Sequence, residues 1–146
     1  LSPGIYYMDG GSLSINSQAT FVGDGVTIVF TAKNNSDWAT ATINGGATVD
    51  LKPPLSGPTA GMVVFGDRNM PEGTAYKFTG GSSQTFSGAI YLPKGDITYA
   101  GNNSNSLNCT QLIGNSITFT GNSSVSLNCN SYPTKPFSAW VVRLLT

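Results

Sequence analysis

The chain has 146 residues, enough for one domain, with 39% hydrophobic and only 10% charged side chains. Seven basic and seven acidic residues cancel and are scattered singly, so no basic patch exists to neutralise phosphates and nucleic acid is excluded as a partner. The absence of histidine removes a Ser-His-Asp triad, a Cys-His pair and a His-ligated zinc site, and two cysteines alone cannot form a structural zinc centre.

In chain order, "GIYYM" from Gly4 opens a strand-favouring stretch almost at once. "LSINSQATF" (13–21), "ATINGGATVDL" (41–51) and "YKFTGGSSQTF" (76–86) follow as related units. Each is succeeded by a second apolar run, Val26–Phe30, Met62–Phe65 and Ala89–Leu92. Two closer copies come next. "ITYAGNNSNSLNC" from Ile97 and "ITFTGNSSVSLNC" from Ile117 agree at nine of thirteen positions, with Leu112 and Ile113 between their cores. "AWVVRLL" (139–145) closes the chain, with Trp140 expected in the core.

Within the last copy, Ile117, Phe119, Val125, Leu127 and Cys129 alternate with Thr118, Thr120, Ser124, Ser126 and Asn128. That is strand periodicity, with one face predicted inward and one wet. Ser17-Gln18, Gly45-Gly46, Gly80-Gly81 and Gly121-Asn122-Ser123 fall where each unit needs a corner. The period is 20 or 21 residues late in the chain and lengthens to 28 and 35 early on. The surplus is assigned to loops at 31–38, 52–58 and 66–73.

The predicted architecture is all-β: a single domain over residues 1–146, a right-handed parallel β-helix (solenoid) with loop insertions in its N-terminal half. Ile97 is expected to stack on Ile117, Tyr99 on Phe119 and Leu107 on Leu127, at about 4.8 Å per strand. An antiparallel β-sandwich is the alternative, although its hairpins would not require inward residues to recur at this period.

Cys109 and Cys129 occupy the same slot of adjacent repeats, within disulfide reach if the repeats stack. Two buried free thiols remain the alternative. A bridge would place the chain in the periplasm, at the cell surface or outside the cell. No segment approaches 18 consecutive apolar residues and no signal peptide is present; a chain starting at Leu1 reads as a processed product or an excised piece.

Chemistry is sparse. There is no phosphate-binding loop, since "GDGVT" at 23–27 lacks the spacing. Asp9 and Asp24 sit in turn contexts. Asp67, Arg68 and Glu72 share the most charged loop, "GDRNMPEG". They read either as a small carboxylate site or calcium-assisted groove, as a polysaccharide-active enzyme would need, or, preferred, as an internally salt-bridged loop over a strand end. Trp38 and Tyr132 could stack on a sugar ring, or cover an end of the stack. The sequons at Asn34, Asn102, Asn108 and Asn122 are expected by chance in so Asn- and Ser-rich a chain. No cofactor or metal is implied.

"PGIYYMDGGSLSINSQATFVGDGVTIVFT", "ATINGGATVDLKPPLSGPTAGMVVFGDR", "GGSSQTFSGAIYLPKGDITYAGNNS", "CTQLIGNSITFTGNSSV" and "VVRLLT" together resemble the C-terminal region of bacterial TadG-like proteins. The resemblance implies an exported, envelope-associated part of Tad/Flp pilus assembly, with Cys109 and Cys129 matching recurring cysteines and no catalytic residues to carry over. The expected function is a non-enzymatic structural or interaction domain whose partners are copies of itself or pilus and envelope proteins, without membrane contact of its own. A glycan-binding adhesin-like module and, third, a polysaccharide-active enzyme are the alternatives. Neither end shows a charged or helical cap, so at least one is expected to be covered by other protein.

Overall fold

The computed structural model describes residues 1–80, 84–101, 109–121, 125 and 128–134. These form an all-β domain in which parallel strands build a nearly closed, barrel-like sheet. The strands are β1 (Gly4–Asp9), β2 (Ser12–Ile15), β3 (Thr20–Gly23), β4 (Val26–Thr31), β5 (Thr40–Ile43), β6 (Thr48–Leu51), β7 (Met62–Gly66), β8 (Thr74–Gly80), β9 (Gln84–Phe86), β10 (Gly88–Gly101) and β11 (Thr110–Thr120).

Three ladders run through the molecule. The first pairs β1, β4, β7 and the N-terminal halves of β10 and β11. The second pairs β2, β5, β8 and the C-terminal halves of β10 and β11. The third is a separate sheet of β3, β6 and β9. Every pairing among the described residues is parallel, which is incompatible with an antiparallel sandwich.

The register follows the repeats. Leu13 pairs with Ala41, Ala41 with Tyr76, Tyr76 with Ile97 and Ile97 with Ile117. The unequal spacings of the sequence thus converge on one ladder, and the extra residues leave it as the loops at 31–38, 52–58 and 66–73. The corners also fall as expected. Gln18, Gly46 and Gly121 carry φ of 69°, 87° and 69°, the left-handed backbone that glycine adopts freely and other residues seldom do.

One difference concerns β10 and β11, which the sequence divides into separate runs. In the structure each is continuous and bends from the first ladder into the second, which is how the two merge into one sheet. Pro93 cannot donate to a ladder, and the register shifts between Leu92 and Asp96 around it. Gly95 and Gly114 make the bend possible. A Cβ on Gly95 would lie 2.8 Å from the Tyr76 ring, and one on Gly114 2.9 Å from Ile97 Cδ1. The strands can close over the core there only without side chains.

The core is filled by alternate residues of all three ladders, including Ile28, Phe30, Ile43, Val49, Leu51, Val64, Phe78, Phe86, Ile90, Leu92 and Ile97. Tyr76 is buried among them, and its hydroxyl donates to Ala39 O at 2.9 Å. Burial pushes this phenol well above its ordinary pKa. Aromatic pairs in the core meet edge to face, Phe30–Tyr76 at 68° and Phe78–Phe86 at 65°.

Cys109 and Cys129 are joined by a disulfide with a Cα–Cα separation of 4.5 Å, as stacking of adjacent repeats requires. The expectation that Ile117, Phe119 and Val125 are buried is corrected. Ile117 and Phe119 keep the predicted register but are 37% and 47% exposed, and Val125 is 39% exposed. Among the described residues nothing pairs with the far edge of β11. The expected stacking of Leu107 on Leu127, the corner residue Gly81, the sequons at Asn102, Asn108 and Asn122, and the closing strand with Trp140 lie outside the described residues.

Candidate functional site

Strand alternation gives each ladder an inward and an outward row, and the outward rows differ. On the second ladder, Ser14, Thr42, Lys77, Thr98 and Thr118 lie in register. That surface is polar, as a solvated sheet face should be. On the first ladder, the outward row is Tyr7, Val29, Phe65, Tyr91 and Ile113. Its strands are apolar on both faces, a pattern that ordinarily belongs to sheets covered on both sides.

Phe65 and Tyr91 stack with centroids 5.4 Å apart and planes 21° from parallel, unlike the edge-on pairs of the core. The Arg68 guanidinium lies over Tyr91, 5.5 Å from the ring centroid, a cation–π contact. A groove of about 600 Å³ runs along this row from Tyr7 to Asn69, and a second of about 350 Å³ continues past Tyr91 to Thr134.

The loop at 66–73 forms one rim, anchored by fully buried Met70. Asp67 accepts from Thr31 Oγ1 at 2.8 Å and from the Asn69 amide at 2.9 Å. Glu72 points elsewhere and pairs with Lys94 at 3.9 Å. The loop is therefore not salt-bridged internally among the described residues. Asp67 and Glu72 engage neighbouring strands, and among the described residues no carboxylate pairs with Arg68. Asp67 and Glu72, each tied to a different partner, do not form a facing carboxylate pair.

Trp38 is half-buried and packs against the core, so it serves as a cover rather than an open platform. Tyr132 is half-buried in a turn whose amide donates to Cys129 O at 3.0 Å. The segment after it docks on the 52–61 loop through the Thr134 hydroxyl, which donates to Gly61 O at 2.8 Å. Asp9 accepts from the Lys33 amide, holding the 31–38 loop, and Asp24 lies in the bend before β4. No group of three or more metal-ligating side chains occurs among the described residues.

The ends of the ladders form a second candidate surface. In the first repeat Tyr6, Met8, Leu13, Ile15 and Phe21 point inward yet are only half-buried. One level in, their partners Ile28, Phe30, Ala41, Ile43 and Val49 are 1–3% exposed. Leu1 lies across this end, with its ammonium group donating to Val22 O at 2.6 Å.

The sequence singles out Asp67 and Arg68 by their charge but does not bring Tyr7, Phe65 and Tyr91 together as one row. The signal was present in the continuous apolar runs Val26–Phe30, Met62–Phe65 and Ala89–Leu92, which leave no wet face. Comparison with family models, curated proteins and solved structures found no match.

Proposed function

We propose that this chain is a right-handed parallel β-helix serving as a non-enzymatic interaction domain of an exported bacterial envelope protein, in the TadG-like setting of Tad/Flp pilus assembly, and that it meets its protein partners through the ends of its stack. The observation that carries this reading is the incomplete burial of both terminal levels. Inward residues of the first repeat, and Ile117 and Phe119 of β11, leave apolar surface exposed, and the outer edges of β1 and β11 pair with no other strand among the described residues. Such edges template further pairing unless something covers them. The right-handed sense rests on the near-universal handedness of parallel crossovers. The Cys109–Cys129 bridge supports an oxidising compartment. Zero net charge leaves little long-range repulsion against association.

The ends are unlike each other, so contact between two copies would be heterologous and could propagate. Contact with a different envelope protein would terminate the stack. The test is to locate the full-length protein in its native cell with and without assembled pili, beside an Ile117→Lys/Phe119→Lys variant. The reading expects a signal outside the inner membrane that follows the pilus machinery and disperses in the variant. A cytoplasmic signal, or one indifferent to both pili and variant, contradicts it.

A further inference from the structure

We propose that the groove beside Tyr91, on the outward face of the first ladder, is the docking site for the closing segment of this same chain, "AWVVRLL" at 139–145, which folds back over the sheet as an extended strap. The face lies on the side of the stack, away from the ends invoked above.

The direction of the chain at Thr134 points there. The bridge sets Cys129 beside Cys109, 20 residues earlier. Continued stacking at that period would put Pro133 in the slot beyond Ile113, along the free edge of β11. Thr134 is found elsewhere: its hydroxyl donates to Gly61 O at 2.8 Å, at the entry to β7. β10 separates β7 from β11, so the chain has turned back by two strand spacings, about 10 Å. It does so over the outside, since Pro133 and Thr134 form one wall of a groove of about 350 Å³ whose floor includes the outward residues Ala89, Tyr91, Gln111 and Ile113. The contact is close. Gly61 has φ of 78°, and a Cβ on it would lie 2.9 Å from the Thr134 amide nitrogen and 3.1 Å from the Pro133 carbonyl carbon.

The groove and the segment match in chemistry. Met62, Ala89, Tyr91 and Ile113 make the groove apolar, and no charged side chain lines it among the described residues. The ring faces of Phe65 and Tyr91 are already used, by each other and by Arg68. What remains is apolar flank and strand surface, which suits hydrophobic side chains of irregular shape. In an extended segment Trp140, Val142 and Leu144 share one face and Arg143 falls on the other. Three large apolar groups can therefore enter the groove while the charge stays in water. Because the groove is open on its outer side, the segment's own backbone stays within reach of water and needs no partner from the ladder.

Reach and tethering select this occupant over a second copy. Six residues separate Thr134 from Trp140, at most about 22 Å of extended chain. The row from Ile113 to Tyr7 spans four strand spacings, about 19 Å, and the groove adjoins Thr134 itself. A segment joined to the groove wall meets it at an effective concentration on the order of millimolar, which another molecule in dilute solution does not match.

The test is photo-cross-linking of the intact chain, with p-benzoylphenylalanine replacing Tyr91, Thr98 or Phe119 in three separate variants and the products mapped by mass spectrometry. The Tyr91 position is expected to capture a peptide from 137–146 at the mass of one chain. Thr98, on the polar face of the second ladder, and Phe119, at the edge of β11, are expected not to capture it. In the Tyr91 variant, a further Trp140→Ala change should remove most of the cross-link, and Arg143→Gln should leave it intact. In the otherwise unaltered chain, Trp140→Ala should raise the fluorescence of the dye ANS as the face is uncovered. No capture at Tyr91 overturns the proposal, as does a cross-link or dye signal indifferent to Trp140→Ala. Capture from Phe119 would mean that the segment continues the stack, equal capture from Thr98 that it has no fixed site, and a product of two-chain mass that a second copy supplies the cover; each of these overturns it as well.

Discussion

Ile97 and Ile117 are the same residue in the same slot of consecutive repeats, paired directly across β10 and β11. Ile97 is 1% exposed and Ile117 is 37% exposed. Their neighbours repeat the contrast, with Tyr99 at 4% and Phe119 at 47%. At the other end, half-buried Met8 pairs with Phe30, which is 1% exposed. In a ladder of parallel strands, alternation sets the direction of a side chain, whereas burial depends on a further strand being there to cover it. Inner and terminal levels therefore have like sequences and unlike energetics.

The largest test of this contrast is a matched truncation. Phe30→Ala should cost about 3–5 kcal/mol by opening a cavity in a filled level. Met8→Ala, one level out, should cost about 1 kcal/mol, since part of its surface is already wet. Equal costs in urea denaturation would mean the first level is as well covered as the second.

The disulfide ties the segment at Cys129 back to buried Cys109 and sharpens the contrast at the C-terminal end. Cys129→Ser should destabilise the chain by about 3 kcal/mol through the freed 20-residue loop. Alkylation of unreduced, denatured protein should add no label by intact mass; two labelled thiols would contradict the pairing.

Tyr76→Phe examines an inner level alone. It leaves Ala39 O without its hydroxyl donor and should cost about 1–3 kcal/mol in thermal or chemical unfolding. A neutral result would show that water reaches the level assigned to the core.

The smallest effect is at the bend where β10 and β11 turn together. Asp96 accepts from Ser116 Oγ at 2.7 Å and from Asn115 Nδ2 at 3.0 Å, and these bonds hold its carboxyl below the usual carboxylate pKa. A depressed folded-state pKa means stability that is present above the unfolded value and lost as pH falls through the folded one. Acid should therefore loosen β11 slightly, and Asp96→Asn should flatten that dependence. Carboxyl chemical shifts titrated by NMR would show a midpoint at or above the ordinary aspartate value if the account is wrong.

Much of this was legible in the residues. The Ile97/Ile117 and Tyr99/Phe119 register, the left-handed corners at Gln18, Gly46 and Gly121, the three loop insertions and the disulfide follow from period and turn chemistry. The bend of β10 was not, because the apolar runs on either side of Pro93-Lys94-Gly95 look like separate strands. Neither was the outward aromatic row. Tyr7, Phe65 and Tyr91 come from units spaced irregularly by loops, and only the register brings them to one face. The exposure of Ile117 was hidden for the opposite reason: its local pattern matches that of buried Ile97, and burial depends on what covers the strand rather than on that pattern.

The openness of the ends is tested most directly by hydrogen exchange of β1 and β11 against β4 and β8, read across a wide range of protein concentration. The account predicts that the outer-edge amides of β1 and β11 exchange much faster than those of β4 and β8 in dilute solution, and slow as concentration rises and copies cover the ends. Exchange in β1 and β11 as slow as in β4 and β8 at every concentration, from a strict monomer by sedimentation, would show that the chain caps itself and would contradict it.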